Sequence, residues 1–302
     1  MQAMILAAGY GTRLQPYSLA RPKPLFPVLN RPLLLATIER LQAAGCRRIL
    51  VNCHHLAEQI VAAVAGISGV QLQVEPAILG TGGSLAEARG WLTDEPLLVS
   101  NGDIYHTIDF RKLYDAHVRQ GNRVTMVVHD CPRFNKVSVT DTRVTGFDAP
   151  VGSPGALAFT GVQVIDPDIL RDMDGRRPWC IIDHYRRLLD AGTEINCRID
   201  AHCNWTDIGT VAEYLRLHGE LLTGGTPIWL ELGGPVVDGV LIDSEARLDP
   251  GCRVEPWSCI GKVGIPAGAV IARSVLWDGA EVVGDQLIAD RLVAPSLHQR
   301  NN

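Results

Sequence analysis

The chain has 302 residues, 46% hydrophobic and 20% charged, as in a soluble globular protein, and it is long enough to predict two domains. Its net charge of −5 argues against a nucleic-acid partner held by phosphate neutralisation. No apolar run reaches the roughly 18 residues of a membrane span. The start of the chain predicts a core strand rather than a secretion signal, because it has no basic leader and its apolar run stops at Gly9. Eight cysteines without a C-x-x-C pair are expected to be free thiols in a cytoplasmic protein. Cys53-His54-His55 and Cys197…His202-Cys203 lack the two-and-two spacing of structural zinc sites.

In chain order, strands are predicted over Ala3–Ala7, Arg48–Asn52, Val70–Glu75 and Pro96–Asn101. Helices are predicted over Pro32–Ala44, Leu56–Val64 and Ser84–Trp91. Such alternation implies a parallel sheet with helices on both faces, which binds ligands at the carboxyl ends of its strands. The polar, glycine-rich turns after Ala7 and after Asn101 fall at such ends. From Arg123 to Val164 short β-like runs take over. A helix over Cys180–Ala191, a strand over Glu194–Ile199 and a helix over Thr210–Leu222 follow. Thr223-Gly224-Gly225-Thr226-Pro227 marks the expected boundary between domains 1–225 and 226–302.

Beyond that boundary the apolar period is six. Ile242, Leu248, Val254 and Ile260 keep it, and after one deleted residue so do Ile265, Ile271, Trp277 and Val283. This period predicts a parallel β-helix of three coils with the hexad residues, Trp277 among them, pointing inward. The segment has no phosphate loop and no histidine in its repeats. It is expected to have no chemistry of its own and to serve packing or self-association.

The first turn holds Gly9, Gly11, Thr12, Arg13 and Lys23, with prolines at 16, 22, 24 and 27. Glycines bring backbone N–H groups close to an anion, and prolines hold the charges in place. The combination predicts a polyphosphate site. A dinucleotide fingerprint is excluded by Leu14 at the third glycine position and by Asn52 where an acid is required. A Walker A loop is absent.

The pattern G-x-G-T-R-x-x-P-x-[ST]-x-x-x-P-K-P, carried by Gly9 through Pro24, resembles the signature of the sugar-1-phosphate nucleotidyltransferases. The similarity continues through Leu79-Gly80-Thr81-Gly82-Gly83, Asn101-Gly102-Asp103 and Trp205-Thr206-Asp207-Ile208-Gly209-Thr210, so it covers about residues 1–222. It implies a Rossmann-like α/β mixed-sheet nucleotidyltransferase domain, and several family members trail a left-handed parallel β-helix. The implied reaction is in-line attack of a sugar phosphate on the α-phosphorus of an NTP, giving an NDP-sugar and pyrophosphate.

By the same resemblance Arg13 and Lys23 are catalytic, and Lys23 also holds the sugar phosphate. Ala7, Ala8, Gly9, Gly11, Thr12, Arg13, Glu75, Gly80, Thr81 and Gly82 bind nucleotide, and Asn101 and Gly161 bind the sugar phosphate. Asp103 and Asp207 would hold Mg²⁺, a hard cation suited to carboxylate, phosphate and water oxygens. Asp207 has a competing reading as a helix N-cap, and Glu75 as a solvated strand end.

One departure is Phe147-Asp148-Ala149-Pro150, which lacks the lysine of the F-x-E-K-P found in many relatives. Uridylyltransferases for N-acetylmuramate-1-phosphate lack it too, and they share "DFRKL" and "LAFTGVQVIDPDIL" with this chain. Guanylyltransferases for mannose- or heptose-1-phosphate are similar over the first half, so UTP and GTP both stay open. The rivals are an acyltransferase using the β-helix and a non-catalytic nucleotide-sugar-binding subunit. The first would need a histidine in the helix, and the one histidine after residue 226 is His298. The second would be expected to have lost Arg13, Lys23 or Asp103. A homo-oligomer is a further expectation.

Overall fold

The computed structural model describes residues 1–295 apart from 151, 172 and 174–177; His298 lies outside them. The chain forms two compact units. One comprises Met1–Tyr10 and Thr37–Trp205, the other Gly11–Ala36 and the chain from Thr206 onward. The division between them does not fall at Gly225. There Gly225 N and Thr226 N both donate to the Glu220 carbonyl, and Thr226 is buried, which ties the linker to the preceding helix.

The first unit is a nine-stranded mixed sheet. In chain order its strands are β1 (Gln2–Leu6), β2 (Arg48–Cys53), β3 (Val70–Val74), β4 (Leu97–Asn101), β5 (Val124–His129), β6 (Val137–Thr140), β7 (Arg143–Phe147), β8 (Ala156–Ile165) and β9 (Asn196–Ile199). Their order across the sheet is β3-β2-β1-β4-β8-β5-β9-β7-β6. β1 pairs in parallel with β2 and β4, and β8 runs antiparallel between β4 and β5. The central strands are nearly continuous apolar runs because both faces are covered. Met4, Leu50, Leu97, Val99, Met126 and Tyr185 share one core. At the carboxyl end of the sheet Leu6 lies beside Asn101, so the two glycine-rich turns begin next to each other.

Most predicted elements recur within one or two residues. The clearest difference is the helix predicted over Ser84–Trp91, which begins and ends four residues earlier. Glycines start it, as Gly80–Glu87, and a 3-10 turn over Ala88–Gly90 closes it. The tertiary structure supplies what this glycine-rich sequence lacks: Ser84 Oγ lies 2.8 Å from the Gly80 carbonyl, and Trp179 covers the glycine face.

The second unit combines the phosphate loop, the helix Val211–Leu222 and the C-terminal segment. In that segment short parallel strands form three sheets. Leu241 lies beside Cys259, Arg253 beside Val270 and Ile260 beside Leu276, so the coil repeat is 18, 17 and 16 residues at these pairs rather than a uniform three hexads. The pairing is consistent with a parallel β-helix. Ile260, Ile265 and Ile271 fill its interior. Val254 packs partly buried against them, but the expectation for Ile242, Leu248, Trp277 and Val283 needs correction. Ile242, Leu248 and Val283 are exposed, because a side chain is enclosed only where a neighbouring coil stacks on it. Trp277 is buried but not in the coil interior, where Leu276 sits instead. The count allows for one missing residue before Ile265, but Ile260 lies beside Leu276, two residues short of three hexads, so the count lands one position late at Trp277.

Candidate active site

Two short turns shape the phosphate loop. Gly11 takes a left-handed conformation (φ 62°), and a Cβ there would lie 3.3 Å from Ser18 Cβ and 3.4 Å from Lys23 Cβ. Glycine therefore lets the chain fold back on itself. Leu14 N donates to the Gly11 carbonyl at 2.9 Å, and Phe26 N to the Lys23 carbonyl at 3.0 Å. The result brings two cations onto one carboxylate. Lys23 Nζ donates to Asp207 Oδ1 at 2.7 Å, and Arg13 Nη2 to Asp207 Oδ2 at 3.3 Å. Lys23 is 6% exposed, whereas the Arg13 side chain reaches solvent. A Cβ on Gly209 would come within 2.7 Å of both Arg13 Nη2 and Asp207 Oδ2, so the W-x-D-x-G-T glycine leaves room for the ion pair. The N-cap of the following helix is Thr210, which accepts from Glu213 N at 3.2 Å. Asp207 is thus a partner of the loop's cations and not a cap.

In the first unit a buried network connects β1, β2 and β3. Ala7 N donates to Asn52 Oδ1 at 2.7 Å. Asn52 Nδ2 donates to Glu75 Oε1 at 2.8 Å and to Ser84 Oγ at 2.9 Å. Ser84 Oγ donates to Glu75 Oε1 at 2.6 Å, and Leu79 N to Glu75 Oε2 at 3.1 Å. Glu75 is 2% exposed, so it is not a solvated strand end; its carboxylate sets the turn at Leu79. Asn52 and Ser84 were not among the predicted site residues. The available signal was the polar Asn52 ending an apolar strand.

Gly80 and Gly82 have a packing reason. A Cβ on Gly80 would meet the Trp179 carbonyl at 2.6 Å, and one on Gly82 the Trp179 ring at 3.0 Å. Thr81 Oγ1 accepts from Ile181 N at 3.0 Å. Gly9 differs: a Cβ there would meet nothing within 4 Å, so the fold makes no steric demand for glycine. Ala8 beside it is nearly buried. Tyr10 OH donates to His54 Nε2 at 3.2 Å, while His54 Nδ1 donates to the Glu75 carbonyl at 2.8 Å.

Asn101 and Gly161 are brought together. β8 breaks register between Phe159 and Gln163, and Gly161 (φ 80°) lies in this bulge. A Cβ on Gly161 would fall 2.5 Å from Asn101 Nδ2. Asp103 follows Gly102, where a Cβ would meet Ile5 Cγ2 at 3.0 Å and the Leu6 carbonyl at 3.2 Å. No group of three or more His, Cys, Asp or Glu side chains placed to hold a metal occurs among the described residues. The Phe147–Pro150 loop carries an ion pair of its own, Arg186 with Asp148.

A mixed α/β sheet with a cationic, glycine- and proline-rich loop defines a nucleotide-handling enzyme. The nucleotidyl transferase family model matches residues 2–224. Over 270 residues the chain is 32% identical to a mannose-1-phosphate guanylyltransferase catalytic subunit beta of Drosophila pseudoobscura pseudoobscura, covering 84% of this chain and 72% of that protein. It is 27% identical over 302 residues to a mannose-1-phosphate guanylyltransferase of Mycobacterium tuberculosis, covering 90% and 83%. The crystal structure of HddC from Yersinia pseudotuberculosis complexed with GMP-PN superposes with a TM-score of 0.61 over 71% of this chain and 96% of that one; at 23% identity it speaks for the fold. The chain belongs to the nucleotidyl transferase family. It is a sugar-1-phosphate nucleotidyltransferase, which makes an NDP-sugar from an NTP and a sugar-1-phosphate.

Proposed function

We propose that the donor is GTP and the acceptor a mannose-like sugar-1-phosphate. The base and sugar rest on the guanylyltransferase relatives; the chemistry rests on the Arg13–Asp207–Lys23 cluster. Bringing two anions together demands positioning and charge neutralisation more than covalent chemistry. Arg13 neutralises the triphosphate and the departing pyrophosphate. Lys23, less mobile because it is buried, holds the α-phosphate and the incoming sugar phosphate. Gly9, Gly11 and Thr12 supply hydrogen bonds, and the open space at Gly9 admits a phosphate against the backbone. The glycine-rich helix start at Leu79–Gly83 receives the base, with Glu75, Asn52 and Ser84 holding its shape. Asn101 and Gly161 face the sugar side.

Mg²⁺ takes one or two carboxylates and completes its shell with phosphate and water, so Asp103 and Asp207 each suit it as a donor type. Asp103 and Asp207 are the residues that would hold it, and when bound it would neutralise phosphate charge. An in-line attack by the sugar phosphate then needs no covalent enzyme intermediate. Pyrophosphate release measured with each of the four NTPs against a panel of sugar-1-phosphates tests the reading. GTP with mannose-1-phosphate should give the highest kcat/KM. A preference for UTP with N-acetylmuramate-1-phosphate would overturn the substrate assignment while leaving the chemistry.

A further inference from the structure

Trp277, displaced from the coil interior, lies against the phosphate loop. Its ring meets Phe26 edge-on at 4.7 Å and Tyr17 at 5.9 Å, and the Arg21 guanidinium sits 4.7 Å over it. Its Nε1 donates to Tyr214 OH at 3.0 Å, and Tyr214 OH in turn donates to the Pro27 carbonyl. Two further ties join coils and loop. Tyr17 OH donates to the Leu292 carbonyl at 2.8 Å, and Asn30 Nδ2 to the Ile260 carbonyl at 2.7 Å. These anchors flank both cations: Tyr17 follows Arg13, and Phe26 closes the 3-10 turn that begins at Lys23. A free loop of this length would let two charged side chains wander, and ordering them at the moment of reaction would cost rate.

We infer that the C-terminal coils act in catalysis as the platform that holds the phosphate loop, with Trp277 as its positioning residue. The inference rests on the assignment of Arg13 and Lys23 to the phosphates. Aromatic edge contacts and a cation over a ring are directional as well as apolar, so Trp277 fixes where the loop lies and not merely that it is covered. The coils thereby take part in the reaction without touching substrate.

The test uses the full chain and follows kcat, KM for each substrate, product inhibition by inorganic pyrophosphate, and thermal melting. Trp277→Leu should lower kcat by about ten- to a hundredfold, the range expected when a remote change misplaces reacting groups by an ångström or less. It should also weaken inhibition by pyrophosphate. Trp277→Phe, which keeps the ring under Arg21, should recover most of the rate. Should Trp277→Leu fail to fold, Tyr17→Phe serves, since it removes only the hydroxyl bonded to Leu292; about a two- to tenfold loss of kcat is expected, the worth of one hydrogen bond. A lower melting temperature with wild-type kcat in the folded fraction of either variant would overturn the inference. Arg13→Ala is the control. If it too keeps its rate, the phosphate assignment itself fails; if it is inactive while Trp277→Leu and Tyr17→Phe are not, only the platform role fails.

Discussion

Asp207 receives both loop cations, and this makes the ion pairs the most sensitive point of the molecule. Arg13→Ala and Lys23→Met should each cut turnover by about 10²–10³, the usual loss for one well-placed electrostatic donor, in a pyrophosphate-release assay. The two should differ in stability. Arg13 is largely solvated and its removal should barely move the melting temperature, whereas Lys23 is buried and its loss leaves Asp207 short of a partner. Gly209→Ala should resemble the charge deletions without removing a charge, because the added methyl occupies the space of the Arg13–Asp207 contact. A wild-type rate in Gly209→Ala would show that this contact has no part in turnover. If Asp103 holds the proposed Mg²⁺, Asp103→Asn keeps shape and removes the anion, so the Mg²⁺ concentration for half-maximal activity should rise. Full activity of the wild-type enzyme in excess EDTA would defeat the Mg²⁺ proposal.

The helix Val211–Leu222 contributes a pH-dependent tie to the loop. His218 is fully buried, and that burial pushes its pKa down from 6.5 to about 4. Its Nδ1 donates to the Tyr214 carbonyl at 2.9 Å, and its Nε2 accepts from Leu29 N at 3.3 Å. Only the neutral ring makes both bonds. Because the folded value lies below the unfolded one, the unfolded chain takes the proton first as pH falls. The contribution of His218 is therefore complete above about pH 6.5 and declines towards pH 4, by at most about 1.4 kcal/mol per pH unit. Denaturation midpoints at pH 7 and pH 5 should thus differ more for the wild type than for His218→Gln. An equal pH dependence in the two would remove His218 as the cause.

For the whole molecule, the compact units cut across the expected domains, since the loop shares a unit with the coils. From the sequence alone the C-terminal segment serves packing or self-association, yet deleting the chain from Thr226 does more than change packing at a distance from the loop. It would uncover Phe26, Tyr214 and the other side chains that Trp277 buries, and burial of a large aromatic is worth about 3–5 kcal/mol. The truncated chain should be inactive or insoluble, as light scattering and the pyrophosphate assay would report. A soluble, fully active truncation would show that the loop holds itself. No helix among the described residues is long and apolar enough to cross a membrane.

The polyphosphate site was legible in the sequence because its pattern is local, and the reaction class followed from the family resemblance which that pattern carries. Gly11, Arg13 and Lys23 lie within a few residues of one another, and the strand-turn pattern alone places that turn at a sheet's carboxyl end. The coils were legible for the same reason, since a period of six depends on near neighbours. Tertiary structure decided what depends on residues far apart. The role of Asp207 required residues 13, 23 and 207 to meet. Glu75 could be a ligand contact or a scaffold until burial brought Asn52, Ser84 and Leu79 N to its carboxylate. Trp277 kept the hexad count yet faces the loop, because a second residue is missing between Ile271 and Leu276, beyond the one the count allowed for, and this turns Trp277 out of the coil and against Phe26.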